Sequence, residues 1–179
     1  MAWVPQLPPR THARDSVVVQ GVALRSGARG GLEVLLVHRQ SPRGWEIPGG
    51  KPDDGETYGR AVEREVFEES AMTVTAVRQV ATFRRTGFRP HVSPVFRCVV
   101  VAGDPRPNDE AVDARFHSID RLPWGTFPWL REAIDLAVAD LRTPASGVAL
   151  RVERHQHLGI GAVARSLLIH MAGVLRLRE

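Results

Sequence analysis

The chain has 179 residues, 43% of them hydrophobic, and 24 basic against 20 acidic side chains give a formal charge of +4. That length supports one substantial core, and the single cysteine, Cys98, excludes an intramolecular disulfide. Nearly all the basic residues are arginine, with Lys51 the only lysine; guanidinium groups suit a phosphorylated small molecule as well as they suit nucleic acid, so the charge argues only weakly for nucleic acid.

Residues 1–15 carry three prolines and no periodicity and are expected to form an extended arm. They lack the uninterrupted apolar stretch of a secretory signal, so a reducing cytoplasm is the expected location. From Ser16, SVVVQGVALR reads as a strand, SGARGG as a turn and LEVLLVHR as a second strand, together a hairpin. SPRGWEIPGGKPDDGE follows, with four glycines and three prolines around a short strand at Trp45 to Ile47. Thr57 to about Ala71 contains no proline and is expected to be a helix capped by Thr57 or the acidic residues before it. TVTAVRQVATFRR and HVSPVFRCVVVA read as two longer strands, DARFHSI as a shorter one, and a second helix is expected from near Thr126 or Pro128 through WLREAIDLAVADL.

Strands on both sides of a long helix, with a helix after them, indicate an α/β (α+β) fold in which a mixed sheet packs between helices. The expected organisation is an arm over 1–15, a domain over 16–143 and a helical extension over 144–179. The apolar end of that extension, LGIGAVARSLLIHMAGVLRLRE, places Arg165 at its middle. A charge at a bilayer centre is costly, so a packing helix, or one that pairs two copies in a homodimer, is the better reading than a membrane segment.

The chemistry concentrates in the first helix. At about 100° per residue, Tyr58, Ala61, Val62, Val66 and Met72 share one arc, the face that would be buried, and Glu65 and Glu69 project from the middle of it. Glu68 lies at its edge. Carboxylates among apolar neighbours are unfavourable unless a cation or hydrogen bonds compensate them. Positions three and four apart are neighbours on a helix, so Glu65, Glu68 and Glu69 bring several oxygens toward one point. Hard carboxylate oxygens select Mg2+, or Mn2+, over zinc, and His155 and His157 are too sparse for a zinc site and read as a surface pair.

GKPDDGETYGRAVEREVFEESAM, Gly50 to Met72, resembles the Nudix box. Gly50, Glu56, Arg64, Glu65, Val66, Glu68, Glu69 and Met72 fall on its pattern; Ala71 stands where that family has glycine. The resemblance implies a Nudix-like α/β/α sandwich over roughly Ser16 to Leu141 and a hydrolase that splits a pyrophosphate bond with metal-activated water. It also implies that Glu65, Glu68 and Glu69 hold the metal, one of them taking a proton from the water, and that Arg64 orients them with support from Glu56. The carbonyl of Gly49 or Gly50 is a further candidate metal contact, and Asp109 or Glu110 a downstream acid.

Arg84, Arg85, Arg89 and His91 lie where they could meet phosphate or ribose, or they are the basic tip of a hairpin. Trp45 is a candidate for stacking on a base, with core packing the alternative, and Trp124 and Trp129 read as packing. The expected substrate is a nucleoside triphosphate, ADP-ribose, a nucleotide sugar or a dinucleoside polyphosphate. The alternative is a non-catalytic nucleotide-sensing module with a basic C-terminal interaction helix.

Overall fold

The computed structural model describes residues 16–28, 30–40, 42–87, 90–143 and 152–175; the N-terminal arm and Arg89 fall outside these. Strand β1 covers Ser16–Val17, β2 Val19–Ser26, β3 Leu32–Arg39, β4 Gly44–Glu46 and β5 Gly49–Gly50. Helix α1 is Tyr58–Ser70; the long strands β6 (Thr73–Gly87) and β7 (His91–Ala102) follow, then β8 (Ala111–Ser118). A 3-10 turn at Pro128–Leu130 leads into α2 (Arg131–Arg142), and the chain continues through β9 (Val152–Leu158) to α3 (Ile160–Leu175). The expected hairpin is β2 paired antiparallel with β3, and the two longer runs pair antiparallel as β6 and β7.

All nine strands join one mixed sheet in the order β4-β3-β2-β7-β6-β9, with β1 on β7, β5 on β2 and β8 on β3. Alternation along β2 and β3 divides the core between the two faces. Val22, Leu24, Val34 and Leu36 pack with Phe83, Phe127, Leu130 and Ile134 on the α2 side. Val19, Ala23 and Leu35 pack with Ala61, Val62, Val66 and Met72 on the α1 side. This is the sheet between helices expected from the order of elements.

Two local features set where α1 lies. A Cβ on Gly21 would come within 2.9 Å of both Val62 and Val66, so glycine lets the helix settle directly on β2. Thr57 caps the first turn by accepting from the Arg60 N–H at 3.4 Å, and the chain leaves through Ala71 in the left-handed conformation. On the other face, Asp140 of α2 accepts from Arg97 of β7 at 2.7 Å and Arg78 of β6 at 3.3 Å, pinning helix to sheet.

In the segment beyond residue 143, helix α3 is preceded by a strand that the sequence does not announce. The described part opens with this strand: β9 adds to the sheet parallel to β6, with Arg85 opposite Gln156, before the longer helix α3 begins. RVERHQH has polar side chains at nearly every position and so lacks the alternation that marks a half-buried strand. At the sheet edge it is held instead by ion pairs, Arg84 to Glu153 and Arg154 to Glu132. His155 and His157 are exposed, as read from the sequence. No helix among the described residues is long and apolar enough to cross a membrane. Helix α3 instead reaches from β9 to β4, where His170 Nδ1 accepts from the Arg43 N–H at 3.0 Å and Ile169 is buried. Trp129 stacks on Phe127 with centroids 4.7 Å apart, but Trp124 is 63% exposed, contrary to the packing role expected of it.

Candidate active site

Glu65 and Glu69 lie on the buried face of α1 beside Ala61, Val62 and Val66, as the helical arc requires. Only 5% of Glu69 is exposed, and one of its oxygens, Oε2, accepts from the Gly49 N–H at 2.9 Å. Burial, reinforced by the charge of Glu46, pushes its carboxyl up to about 8 despite that hydrogen bond and the nearby Arg39. Burial also raises Glu65, with Arg64 opposing it and the charges of Glu68 and Glu110 adding to it. Gly50 lies against Glu65 so closely that a Cβ there would collide with the carboxylate. The run Pro48-Gly49-Gly50 thus brings bare backbone against two buried carboxylates.

Arg64 points off the apolar arc and is the hub of the cluster. Its Nε and Nη2 fork onto both oxygens of Glu56 at 3.1 and 2.9 Å, and Nη1 donates to Glu65 at 3.0 Å and Glu68 at 2.9 Å. A further donation to the Lys51 carbonyl ties it to the loop before the helix. The hydrogen bonds to Arg64 hold the Glu56 carboxyl below its usual range, and those same bonds strengthen the guanidinium charge. The carboxylates are therefore not gathered on one point: Glu65 and Glu68 turn to Arg64 while Glu69 turns to Gly49. Among the described residues no three acidic, His or Cys side chains stand close enough together to hold a metal ion as they are placed. The donor set nonetheless suits a hard divalent cation, since one guanidinium serves Glu56, Glu65 and Glu68, and buried Glu69 has only a peptide N–H and the charge of Arg39, which is itself paired with Glu46.

Glu110 is exposed, and its charge reaches both Glu65 and Arg39. The loop carrying Asp109 and Glu110 is tied to α1 by Asn108, whose Nδ2 donates to the Glu68 carbonyl and whose Oδ1 accepts from the Glu110 and Ala111 N–H groups.

The basic candidates separate by strand alternation. Arg84 is exposed and paired with Glu153 at 2.5 Å, whereas Arg85 points to the opposite face and is 4% exposed. There it meets His91, Gln156 and Gln20. Trp45 is half-buried between His38 and His117, with ring centroids 5.0 and 4.7 Å away, and packs against the α2-side core. The sequence reading passed over Arg39 and Glu46, which pair at 2.5 Å. Glu46 acts on Glu69 and on Arg85, and Arg39 acts on Glu69. Their signal was present: in GWEIPGG alternation sends Glu46 to the face opposite Trp45, next to the glycines.

Comparison with known proteins matches residues 16–137 to the NUDIX domain. A MutT-like protein of Streptomyces ambofaciens is 34% identical over 107 residues, spanning 60% of this chain and 66% of that protein. A putative 8-oxo-dGTP diphosphatase of Bacillus subtilis is 25% identical over 121 residues, 68% of this chain and 78% of that one. Among solved structures, a UDP-X diphosphatase superposes with a TM-score of 0.63 at 21% identity over 82% of this chain and 69% of that chain, a likeness of fold.

Proposed function

Because this chain belongs to the NUDIX family, we propose that it is a metal-dependent pyrophosphohydrolase that cleaves the pyrophosphate linkage of a nucleoside diphosphate derivative. The observation that carries this is the pair of buried glutamates, Glu65 and Glu69, set in an apolar helix face against the Gly49-Gly50 backbone. So much buried negative charge calls for a cation, and its oxygen donors suit Mg2+ or Mn2+.

Glu65, Glu68 and Glu69 would hold the ion, with the Gly49 carbonyl as a further donor. When bound, the ion supplies charge neutralisation on the phosphate oxygens and a more acidic water. One of the three glutamates takes the proton from the attacking water. Arg64, forked on Glu56, fixes Glu65 and Glu68 in place. Gly50 leaves the room that the Glu65 carboxylate needs, and Glu110 adds negative charge at the rim. Of the candidate substrate contacts, Arg85 faces the interior beside Gln20, whereas Arg84 is turned to Glu153 and Trp45 is wedged between histidines. Arg85 is therefore the preferred contact for a substrate phosphate.

The substrate is a nucleoside triphosphate, ADP-ribose, a nucleotide sugar or a dinucleoside polyphosphate, acted on in the cytoplasm. A panel of these with magnesium, with phosphate, pyrophosphate and nucleoside monophosphate measured as products, tests the proposal. Turnover of one class is expected; no turnover of any would sink it. Helix α3 exposes Ile160, Leu167, Leu168 and Met171 beside an apolar groove of about 490 Å³, which favours a homodimer through this helix. Light scattering should give twice the chain mass, and a monomer mass would contradict the pairing.

A further inference from the structure

Among the described residues, the most buried arginines apart from Arg85 meet acids. Arg39, Arg64, Arg78 and Arg97 each have a carboxylate at 2.5–3.3 Å. Arg85 is buried more deeply than any of these, at 4% exposure, and among the described residues no acid lies within ion-pair distance of it. Its Nε donates to Gln156 Oε1 at 3.1 Å, its Nη2 donates to Gln20 Oε1 at 3.1 Å, and its Nη1 meets His91 Nε2 at 3.2 Å. All three partners are neutral acceptors toward an arginine, which only donates. Glu46, the acid whose charge reaches Arg85, is engaged by Arg39.

The orientation of Gln156 is fixed from its other side. Its Nε2 donates to the Trp129 carbonyl at 3.4 Å and to Glu132 at 3.3 Å, which turns the amide oxygen toward Arg85. Gln20 also accepts from Ser93 at 2.9 Å, and its backbone pairs with Gly49, the residue whose N–H meets Glu69. Arg85 is thus one strand pairing away from the glutamate site. Three of its five N–H donors are used by these neighbours, leaving two for a ligand.

We propose that Arg85 is an anion-receiving residue for a phosphate of the substrate, and that Gln156 of β9 is the positioning residue that aims it while leaving its charge uncancelled. This rests on the pyrophosphohydrolase reading above and adds to it a part of the chain beyond residues 16–137, since β9 then belongs to the substrate site. A buried cation held by neutral amides keeps its full field for an incoming anion, where a carboxylate partner would cancel it.

The test is calorimetric titration of the full chain with inorganic pyrophosphate in the presence of magnesium, for the wild type, Gln156→Glu and Gln156→Met, with melting temperatures measured alongside. Gln156→Glu keeps an acceptor for Arg85 but cancels its charge, so it should weaken binding about tenfold; it loses the amide donor to Glu132 and the Trp129 carbonyl, so the melting temperature should fall modestly while the chain stays folded. Gln156→Met keeps the volume and removes the acceptor, and should weaken binding too. In turnover of whichever nucleotide the panel identifies, the loss should fall on KM and leave kcat within about twofold. Unchanged pyrophosphate affinity in Gln156→Glu, or no binding by the wild type, overturns the inference. Panel turnover is measured separately, so a wild type that hydrolyses a nucleotide while Gln156→Glu binds pyrophosphate normally would remove this inference and leave the pyrophosphohydrolase reading standing.

Discussion

Ala71 closes α1 at φ 59° and ψ 16°, with its N–H donating to the Phe67 carbonyl at 2.8 Å. It is the non-glycine residue in the left-handed region among those described, and an L side chain there is disfavoured by about 1 kcal/mol. The departure from the family pattern visible in the sequence is therefore a local strain, and α1 keeps its cap. Ala71→Gly should raise stability by about 1 kcal/mol in denaturant titration, with activity unchanged. Gly50 is the reverse case. A methyl group there meets the movable end of Glu65, so Gly50→Ala should fold with near-normal melting while losing about 10- to 100-fold in turnover, because Glu65 is pushed aside. A variant that kept full turnover would show that the Glu65 position is unimportant.

The elements that could be read from sequence were those whose own apolar pattern sets their burial: α1 by one apolar face, β3 by an apolar run covered on both faces of the sheet. The continuous apolar run in LEVLLVHR, bounded by polar residues and a Gly-rich turn, and the Thr57 cap with its buried arc announced β3 and α1, together with the burial of Glu65 and Glu69. Strand β9 could not be read that way, because a polar edge strand is specified by long-range ion pairs such as Arg84 to Glu153. Arg64 is a middle case: the resemblance assigned it to the glutamates, but its fork on Glu56 and its contact with the Lys51 carbonyl come from the loop's path. Beside its buried apolar face, α2 is attached by one acid shared by two arginines of different strands. Asp140 and Arg97 are nearly buried, so Asp140→Asn should cost about 3 kcal/mol in chemical denaturation. A loss below about 0.5 kcal/mol would mean that apolar packing alone holds the helix.

At the scale of the whole molecule, one sheet links both layers of core to the glutamate site, and residues beyond the matched 16–137 complete its edge and reach back to β4. The cooperative stability of this unit can be followed through Cys98, which is 1% exposed with a thiol that burial pushes up to about 12. A thiol held protonated in the fold ionises near 8.5 in the unfolded chain. Its stabilising contribution is therefore full below about pH 8.5 and is lost as pH rises toward 12. At pH 8 a thiol-exchange reagent should label Cys98 only upon unfolding, and rapid labelling of the native protein would contradict its burial.

The glutamates remain the centre of the account. The most direct measurement is the rate of hydrolysis of the nucleotide identified by the panel, followed against magnesium concentration for the wild type and for Glu69→Gln. If the glutamates hold the metal, the wild-type rate rises from zero to saturation with magnesium and vanishes with chelator, and the Glu69→Gln rate is at least about 10²-fold lower, with the variant still folded. Hydrolysis that persisted without divalent metal, or a Glu69→Gln rate equal to that of the wild type, would contradict it.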